Sequence, residues 1–167
     1  MTQAATIKYT LKQLNQLPDD EAREAFFACC GVKAWAASMS RSRPFQTMTA
    51  MVKTADEIWN RLSPEQKRDA FAHHPRIGEK TGGETEQSEQ KGASNASDDV
   101  KAKLIQGNRD YETKFDHVFL ICATGKSGEE MLEALQRRLS NDPETELQIA
   151  FKEQSKITRL RLEKFFK

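Results

Sequence analysis

Apolar side chains recur every three or four residues along most of the chain, which is the spacing of one face of an α-helix. The clearest stripe consists of Met48, Met51, Val52, Ala55, Ile58, Trp59 and Leu62. Val, Ile and Thr nowhere alternate with polar residues over the length of a typical strand. The pattern therefore predicts an all-α protein with six or seven helices and no sheet.

Helix-terminus signals divide the first half of this pattern into separate helices. Pro18 and the three acidic residues after it predict a helix that ends near Cys30, where Gly31 can terminate it. A Ser-Pro-Glu-Gln run at residues 63–66 starts another helix. A proline disfavours helical geometry in the residue before it, so His74 should stand at or just beyond a helix end.

Three more helices are predicted in the second half. Ser97 begins a long one that ends at Gly125, and its apolar stripe consists of Val100, Leu104, Tyr111, Phe115, Val118, Phe119 and Cys122. A capping box at residues 127–130 starts the next helix. The last helix runs from residues 141–143 to the C-terminus.

Residues 78–99 interrupt the helices with Gly, Ser, Thr, Glu and Gln. A short helix around residues 86–93 is expected within this stretch, which is either a surface loop or a functional lid. A chain of 167 residues is long enough for one core and too short for two substantial ones. We therefore expect a single compact multi-helix domain over residues 1–167, with a long polar loop or short-helix insert.

Charge argues against a nucleic-acid partner. Lys and Arg number 26 against 25 Asp and Glu. Basic residues such as Arg41, Arg43, Arg137 and Arg138 are interleaved with acidic ones, and the first two are expected to form a solvated turn. A nucleic-acid binder is therefore the weakest of the functional alternatives.

The longest apolar run, residues 118–123, is far shorter than the ~18 residues that cross a bilayer. Neither end of the sequence carries a targeting signal, which predicts a soluble cytoplasmic protein with no membrane partner. The chain has an odd number of cysteines, and all three fall in stretches predicted to be helical: Cys29, Cys30 and Cys122. We expect them to be reduced core thiols.

A metal site has little support in the sequence. His73 and His74 with Glu79 or Glu84 could serve a metal hydrolase, but adjacent histidines on a helix project in different directions. No H-x-x-x-H or H-E-x-x-H spacing occurs, and no cysteine pair has a C-x-x-C spacing. We therefore predict no metal.

Helical geometry singles out one arginine near the C-terminus. At about 100° per residue, Arg161 lies ~40° from Ile157 and ~20° from Ala150, whereas Arg159 points ~160° away from Ile157. Arg161 therefore belongs to the apolar face. A guanidinium there requires an anion, which is either a carboxylate of the protein or a charged ligand.

Two further features could carry chemistry. His74 can transfer a proton near neutral pH, although a capping or merely exposed histidine is the alternative. The pair Glu89 and Gln90 could hydrogen-bond a ligand rich in amides, although most such pairs are solvated surface.

Four separated segments carry a resemblance to a known family. They are HPRIGEK at 74–80, QSEQKGA at 87–93, FLICATGKSGEEML at 119–132 and ITRLRL at 157–162. In sequence and in order they resemble the 2-oxo-4-hydroxy-4-carboxy-5-ureidoimidazoline (OHCU) decarboxylases. The chain departs from the family pattern at His73, Asp116 and His117.

The resemblance implies an all-helical homodimer that uses neither metal nor organic cofactor. Its reaction would convert OHCU, formed after urate is oxidised and hydrolysed, into (S)-allantoin. A non-catalytic helical module that binds a ureide or regulates such a pathway is the alternative. Chirality would distinguish them, because an enzyme makes optically active allantoin faster than spontaneous decay makes the racemate.

The resemblance also implies roles for individual residues. His74 is similar to the catalytic histidine, and Pro75 to the proline that holds the same turn. The residues similar to the family's substrate-binding positions are Glu89, Gln90, Phe119, Leu120, Ile121, Cys122, Ala123 and Arg161. These assignments require His74 and Arg161, far apart in the chain, to converge on one cavity.

Overall fold

A computed structural model describes residues 8–79 and 84–166. In this part of the chain the structure contains helices and no strand, which confirms the all-α prediction, and one isolated bridge joins Tyr9 and Phe166. The α-helices are α1 Leu11–Gln16, α2 Asp19–Cys30, α3 Lys33–Arg41, α4 Met48–Arg61, α5 Pro64–Arg68, α6 Glu84–Glu89, α7 Lys91–Ser94, α8 Asp98–Phe115, α9 Gly128–Arg138 and α10 Pro143–Phe165. A 3₁₀ helix, Asp69–His73, follows α5.

The described residues thus hold ten α-helices, more than the six or seven expected. Four of them, α1, α5, α6 and α7, have six residues or fewer. Three of the ten have no counterpart in the prediction: α1, α3 and one of the two helices α6 and α7. Helices of six residues or fewer give too few turns for an apolar stripe to show in the sequence, whereas α3 spans nine residues and was missed. No helix in the described ranges is both long and apolar enough to cross a membrane.

The chain divides into two compact units. One consists of Met1–His73 with Gln154–Lys167, and the other of His74–Glu153. Helix α10 contributes to both. The expectation of one domain over residues 1–167 stays a prediction.

The first unit has an aromatic core centred on α2. The Phe26 ring meets those of Trp35, Phe45 and Phe166 at centroid distances of 6.1, 6.3 and 5.6 Å. Helix α2 begins and ends where the sequence predicts, and Gly31 terminates it with a φ of 74° in the left-handed region. The helix therefore presents its last carbonyl groups at a fixed place.

Two other expectations concern this unit. The predicted stripe on α4 is confirmed at its centre, where four of its residues are buried: Met51, Val52, Ala55 and Trp59. The solvated turn expected at Arg43 is wrong. The Arg43 guanidinium donates hydrogen bonds of 2.8 Å to the carbonyl groups of Leu14 and Leu17 at the end of α1, where carbonyl groups are not fully bonded within the helix.

In the second unit, α8 and α9 pack around an apolar cluster. Its buried members are Ile77, Ala93, Leu104, Tyr111, Phe115, Phe119, Ile121, Ala123, Met131, Leu132, Ala134 and Leu135. Helix α9 begins with the predicted capping box between Ser127 and Glu130. The cluster joins the loop after His74, the insert and the 119–123 segment into one core.

The prediction that α8 continues through Cys122 to Gly125 is wrong. The helix ends at Phe115, and Asp116 adopts a left-handed conformation with a φ of 59°, which aspartate tolerates better than most residues. Residues 119, 120, 121 and 123 are all buried, which one face of a helix could not achieve. The apolar run is therefore a non-helical segment with neighbours on every side, and Cys122 lies in it instead of in a helix.

The insert contains two short helices, α6 and α7, where one was expected around residues 86–93. A Cβ atom added at Gly92 in α7 would lie 1.8 Å from the carbonyl oxygen of Lys126. Gly128, at the start of α9, approaches the carbonyl oxygen of Gly92 and the side chain of Ala96 in the same way. These close backbone contacts fasten α7 to the beginning of α9. Residues 80–83 of the predicted insert lie outside the described residues.

Candidate functional site

His74 is the first residue after the 3₁₀ helix Asp69–His73, as the proline that follows it predicts. Both His74 and Pro75 are partly exposed. His74 is therefore a partly exposed residue at a helix end.

Helix α8 fixes the loop that follows His74. The Arg76 guanidinium pairs with Glu112, with 2.7 Å between Nε and Oε1, and the Asn108 Nδ2 donates to the Ile77 carbonyl oxygen at 2.9 Å. Ile77 itself is buried in the apolar cluster. These contacts fasten the chain just after His74.

The predicted ligand pair lies at the junction of α6 and α7. Glu89 ends α6 and is partly exposed, whereas only 9% of Gln90 is exposed. The Gln90 Oε1 accepts a 3.2 Å hydrogen bond from the Gly78 N–H. The structure therefore brings Gln90 against the loop that carries His74.

The 119–123 segment lies against a buried carboxylate. The Cys122 N–H donates to Glu153 Oε1 at 3.3 Å. Burial raises the pKa of the Cys122 thiol, and the charges of Glu153 and Glu89 raise it further. Glu89 is therefore close enough to Cys122 to act on it electrostatically.

The main chain of this segment is only partly hydrogen-bonded within the described residues. The Leu120 carbonyl oxygen accepts from Arg138 and the Cys122 N–H donates to Glu153. No hydrogen bond to the backbone of Phe119 or Ile121 is found in residues 8–79 and 84–166, although both residues are buried. Because buried backbone groups are normally paired, these N–H and C=O groups are candidates for binding a ligand.

A buried network of Tyr111, Arg138 and Glu146 binds the 119–123 segment through the Leu120 carbonyl group. Glu146 accepts 2.6 Å hydrogen bonds from the Tyr111 hydroxyl and the Arg138 Nε, and Arg138 Nη1 donates to the Leu120 carbonyl oxygen at 2.8 Å. Burial, reinforced by the hydrogen bond to Glu146, raises the pKa of Tyr111. The Arg138 guanidinium also lies 4.6 Å from the Phe119 ring centroid.

Sequence reasoning missed this network, although a signal was present. Arg138 lies about 20° from Met131 around the axis of α9, on the face that is buried. The same angular argument identified Arg161. Applied to every charged residue on a predicted helix, it would have found Arg138 too.

Arg161 lies in the first unit, and 7% of it is exposed. Its apolar-face position is therefore confirmed, while Arg159 is exposed and pairs with Asp56 at 3.0 Å. The Arg161 Nη1 donates to the carbonyl oxygen of Ala28, in the last turn of α2, at 3.4 Å. The negative end of a helix dipole stabilises a cation placed there.

The same turn of α2 carries another contact. The His73 ring packs against Phe27 with 5.2 Å between ring centroids, and a Cβ atom added at Gly31 would lie 3.0 Å from the His73 Cδ2. In the first unit, therefore, His73 and Arg161 both contact residues 27–31.

Burial raises the pKa of the neighbouring Cys30 thiol to about 12, which agrees with a reduced core cysteine. Cys29 is likewise buried and unbridged.

The predicted site residues belong to both of the two compact units. His74, Pro75, Glu89, Gln90 and residues 119–123 belong to the second unit, and Arg161 to the first. The convergence of His74 and Arg161 stays a prediction. Among the described residues no three His, Cys, Asp or Glu side chains are grouped so that they could hold a metal ion.

Comparison with known proteins identifies the family. The sequence pattern of the OHCU decarboxylase family matches residues 15–163. The bifunctional uric acid degradation protein TTL of Arabidopsis thaliana is 38% identical over 149 residues, covering 83% of this chain. This chain spans only 45% of that relative and 32% of a bifunctional uric acid degradation protein from Bacillus sp.. The OHCU decarboxylase of Haloferax volcanii is 28% identical, with 94% of this chain and 96% of the relative covered.

Solved structures agree with the family pattern. A crystal structure of an OHCU decarboxylase obtained in the presence of (S)-allantoin superposes with a TM-score of 0.76 at 37% identity, covering 89% of this chain and 97% of that one. A crystal structure of an (S)-allantoin synthase shares the fold, with a TM-score of 0.71 at 18% identity, over 95% of this chain and 54% of that one. The family pattern spans most of the chain, and the chain belongs to the OHCU decarboxylase family.

Proposed function

We propose that this chain decarboxylates OHCU to (S)-allantoin in the breakdown of urate. The observation that carries the proposal is the family match over residues 15–163. The related OHCU decarboxylase crystallised in the presence of (S)-allantoin supports the same ligand for this chain.

The chemistry needs no external electron sink. The bond between the hydroxyl-bearing ring carbon and its carboxylate breaks, CO2 leaves, and the electron pair moves into the ring, where the adjacent imine accepts it to give an enol-like species. The hydroxyl loses its proton and becomes a ring carbonyl group, the ring nitrogen takes up a proton, and a proton adds to the neighbouring ring carbon that carries the ureido arm. The protein has to orient the carboxylate, stabilise the developing charge and deliver the proton to one face.

His74 transfers the proton in this proposal. It either removes the proton of the substrate hydroxyl to start the loss of CO2 or protonates the ureido-bearing ring carbon at the end. Its position at a helix end, on a loop fastened by Asn108 and Glu112, supports a fixed imidazole that still reaches solvent. Protonation from one side accounts for a single allantoin enantiomer.

Arg161 holds the oxygen on which negative charge accumulates. Its burial and its place at the negative end of α2 support a guanidinium kept charged and oriented. Arg161 and His73 contact the same turn of α2 within the first unit.

Glu89 and Gln90 bind the ureido arm, and residues 119–123 line the pocket. The charge of Glu89 acting on Cys122 supports the proximity of these two groups. We also propose that the enzyme works without metal or organic cofactor, as a homodimer in the cytoplasm. Activity that is lost on exhaustive chelation, or a monomer in sedimentation equilibrium, would contradict the corresponding part.

The decisive assay follows the optical activity of allantoin formed from freshly generated OHCU. We expect wild-type protein to form (S)-allantoin faster than the racemate appears spontaneously. His74→Asn should lower kcat by about 10² to 10⁴, the usual contribution of general acid-base catalysis. His73→Asn is the matched control for loss of an imidazole and should lose far less.

Two results would contradict the assignments. A wild-type chain that binds (S)-allantoin but does not accelerate its formation is a binding module. Unchanged kcat and KM in Arg161→Lys would exclude recognition by a planar, two-pronged guanidinium, because lysine keeps the charge and loses the fork.

A further inference from the structure

One peptide group in the loop after His74 is held from both sides. The Asn108 Nδ2 donates to the Ile77 carbonyl oxygen at 2.9 Å, and the Gly78 N–H donates to Gln90 Oε1 at 3.2 Å. The C=O of Ile77 and the N–H of Gly78 belong to the same planar peptide unit. Helix α8 and the insert therefore fix the orientation of this plane together.

This arrangement defines which end of the Gln90 amide faces a ligand. A glutamine amide has one acceptor oxygen and an NH2 group with two donors. The oxygen receives the Gly78 N–H, so the NH2 group is what remains for recognition. The Gln90 main chain is also fixed, since its N–H donates to the Glu86 carbonyl oxygen and its C=O accepts from the Ala93 N–H.

Asn108 is an unexpected residue at its position. Only 2% of it is exposed, and asparagine is a weak helix former. Its Nδ2 is bound to the carbonyl oxygens of Leu104 and Ile77, but its Oδ1 has no hydrogen-bond partner in the described part of the chain. A buried unsatisfied oxygen is destabilising, whereas the two bonds of Nδ2 are stabilising. The bond to Ile77 is the one that links α8 to the loop after His74.

We propose that Asn108 is a positioning residue of the active site: by holding the Ile77–Gly78 peptide, it orients Gln90 so that Nε2 donates to a carbonyl group of the substrate. Asn108 does not touch the substrate and acts through Gln90. The inference rests on the proposed function for the identity of the substrate. Hydrogen bonds on the two ends of one peptide also strengthen each other, so losing the first weakens the second.

A double-mutant cycle that measures kcat and KM tests whether Asn108 acts through Gln90. We expect Asn108→Leu to raise KM about fivefold, the effect of one neutral hydrogen bond, and to leave kcat within about twofold. In a Gln90→Ala background the same change should raise KM less than about twofold, because no amide remains to be oriented. An equal factor in both backgrounds would show a merely structural role and overturn the proposal.

Gln106→Leu is the matched control, since Gln106 is an exposed amide on the same helix and its Nε2 donates to Asp110, also on α8. It should leave KM unchanged in both backgrounds. Gln90→Glu tests the orientation directly, because it keeps an oxygen for Gly78 and loses the donor. A Gln90→Glu protein that binds (S)-allantoin as tightly as wild type would overturn the proposal.

Amide NMR of the ligand-free protein gives a readout independent of catalysis. Asn108→Leu, or Asn108→Ser if the first variant does not fold, should shift the Gly78 N–H and the Gln90 side-chain NH2 resonances. Unmoved resonances would overturn the role of Asn108. If wild-type protein forms no (S)-allantoin while these shifts are seen, the proposed function is wrong, whereas the link from Asn108 through the Ile77–Gly78 peptide to Gln90 is still supported.

Discussion

The buried network behind the 119–123 segment allows a quantitative test of how the site is supported. Glu146 is 0% exposed and accepts from Tyr111 at 2.6 Å, Arg138 at 2.6 Å and Asn141 at 3.1 Å. Glu146→Gln keeps the shape of the side chain and removes its charge. The Arg138 guanidinium is then left as an uncompensated charge in the core.

Removing one partner of a buried ion pair typically costs about 3–5 kcal/mol. Arg138 cannot escape this cost easily, because it also bonds the Leu120 carbonyl group and lies over the Phe119 ring. We therefore expect the free energy of unfolding to fall by about 3–5 kcal/mol in Glu146→Gln. With a urea m-value of about 2 kcal/mol/M, the midpoint shifts by about 2 M.

Urea unfolding followed by far-ultraviolet circular dichroism measures the shift. The control is Arg137→Met on the same helix as Arg138, because the Arg137 guanidinium is exposed and lies 3.9 Å from the exposed Glu133 carboxylate. Its removal should change stability by less than about 1 kcal/mol. A loss below about 1 kcal/mol in Glu146→Gln would refute the interpretation of this network as a coupled buried pair.

Three further predictions address charge, thiol chemistry and packing. The N–H and hydroxyl of Ser127 hold the pKa of Glu130 below its usual value, so the ionised carboxylate stabilises the fold above its ordinary pKa, and this contribution is lost as the pH falls through the lowered pKa. Glu130→Gln should therefore make the unfolding free energy decrease less steeply below about pH 5, and an unchanged decrease would contradict the assignment. Burial raises the pKa of the Cys122 thiol, so Cys122 should react slowly with an aromatic disulfide at pH 8, and bound (S)-allantoin should slow this reaction further. If (S)-allantoin leaves the reaction rate unchanged, Cys122 lies outside the pocket. Gly92→Ala puts a Cβ atom 1.8 Å from the Lys126 carbonyl oxygen and should destabilise the protein by about 1–3 kcal/mol in thermal unfolding. A variant that melts at the wild-type temperature would show that the backbone moves apart without cost, which contradicts a tight contact.

Local signals in the sequence predicted much of the fold. The start and end of α2, the capping box of α9 and the position of His74 all depend on residues close in the chain, and each is confirmed. The end of α8 is different, because burial of residues 119–123 from several sides is a tertiary effect that mimics a helical stripe. The short helices of the insert escaped detailed prediction because one or two turns leave no period to detect.

The candidate site was predictable to a similar degree. The angular spacing of residues around a helix was enough to place Arg161 on a buried face, and the family resemblance supplied the remaining residues. The same spacing places Asn108 about 20° from Phe115 and Glu146 about 40° from Ala150, on buried faces of their helices. It does not identify their partners, which lie 31 and 35 residues away, respectively. A buried polar position can therefore be predicted from the local pattern, whereas the group that it binds cannot.

The backbone contact between Gly92 and Lys126 has a consequence for redesign. Because α7 touches the start of α9 with main-chain atoms, the two segments behave as one piece for the purpose of grafting. Transplanting residues 84–96 from a relative should therefore preserve the stability of the fold only when residues 124–128 come from the same donor. A chimera that exchanges the insert alone would pack a foreign α7 against the original start of α9 and disturb this main-chain contact.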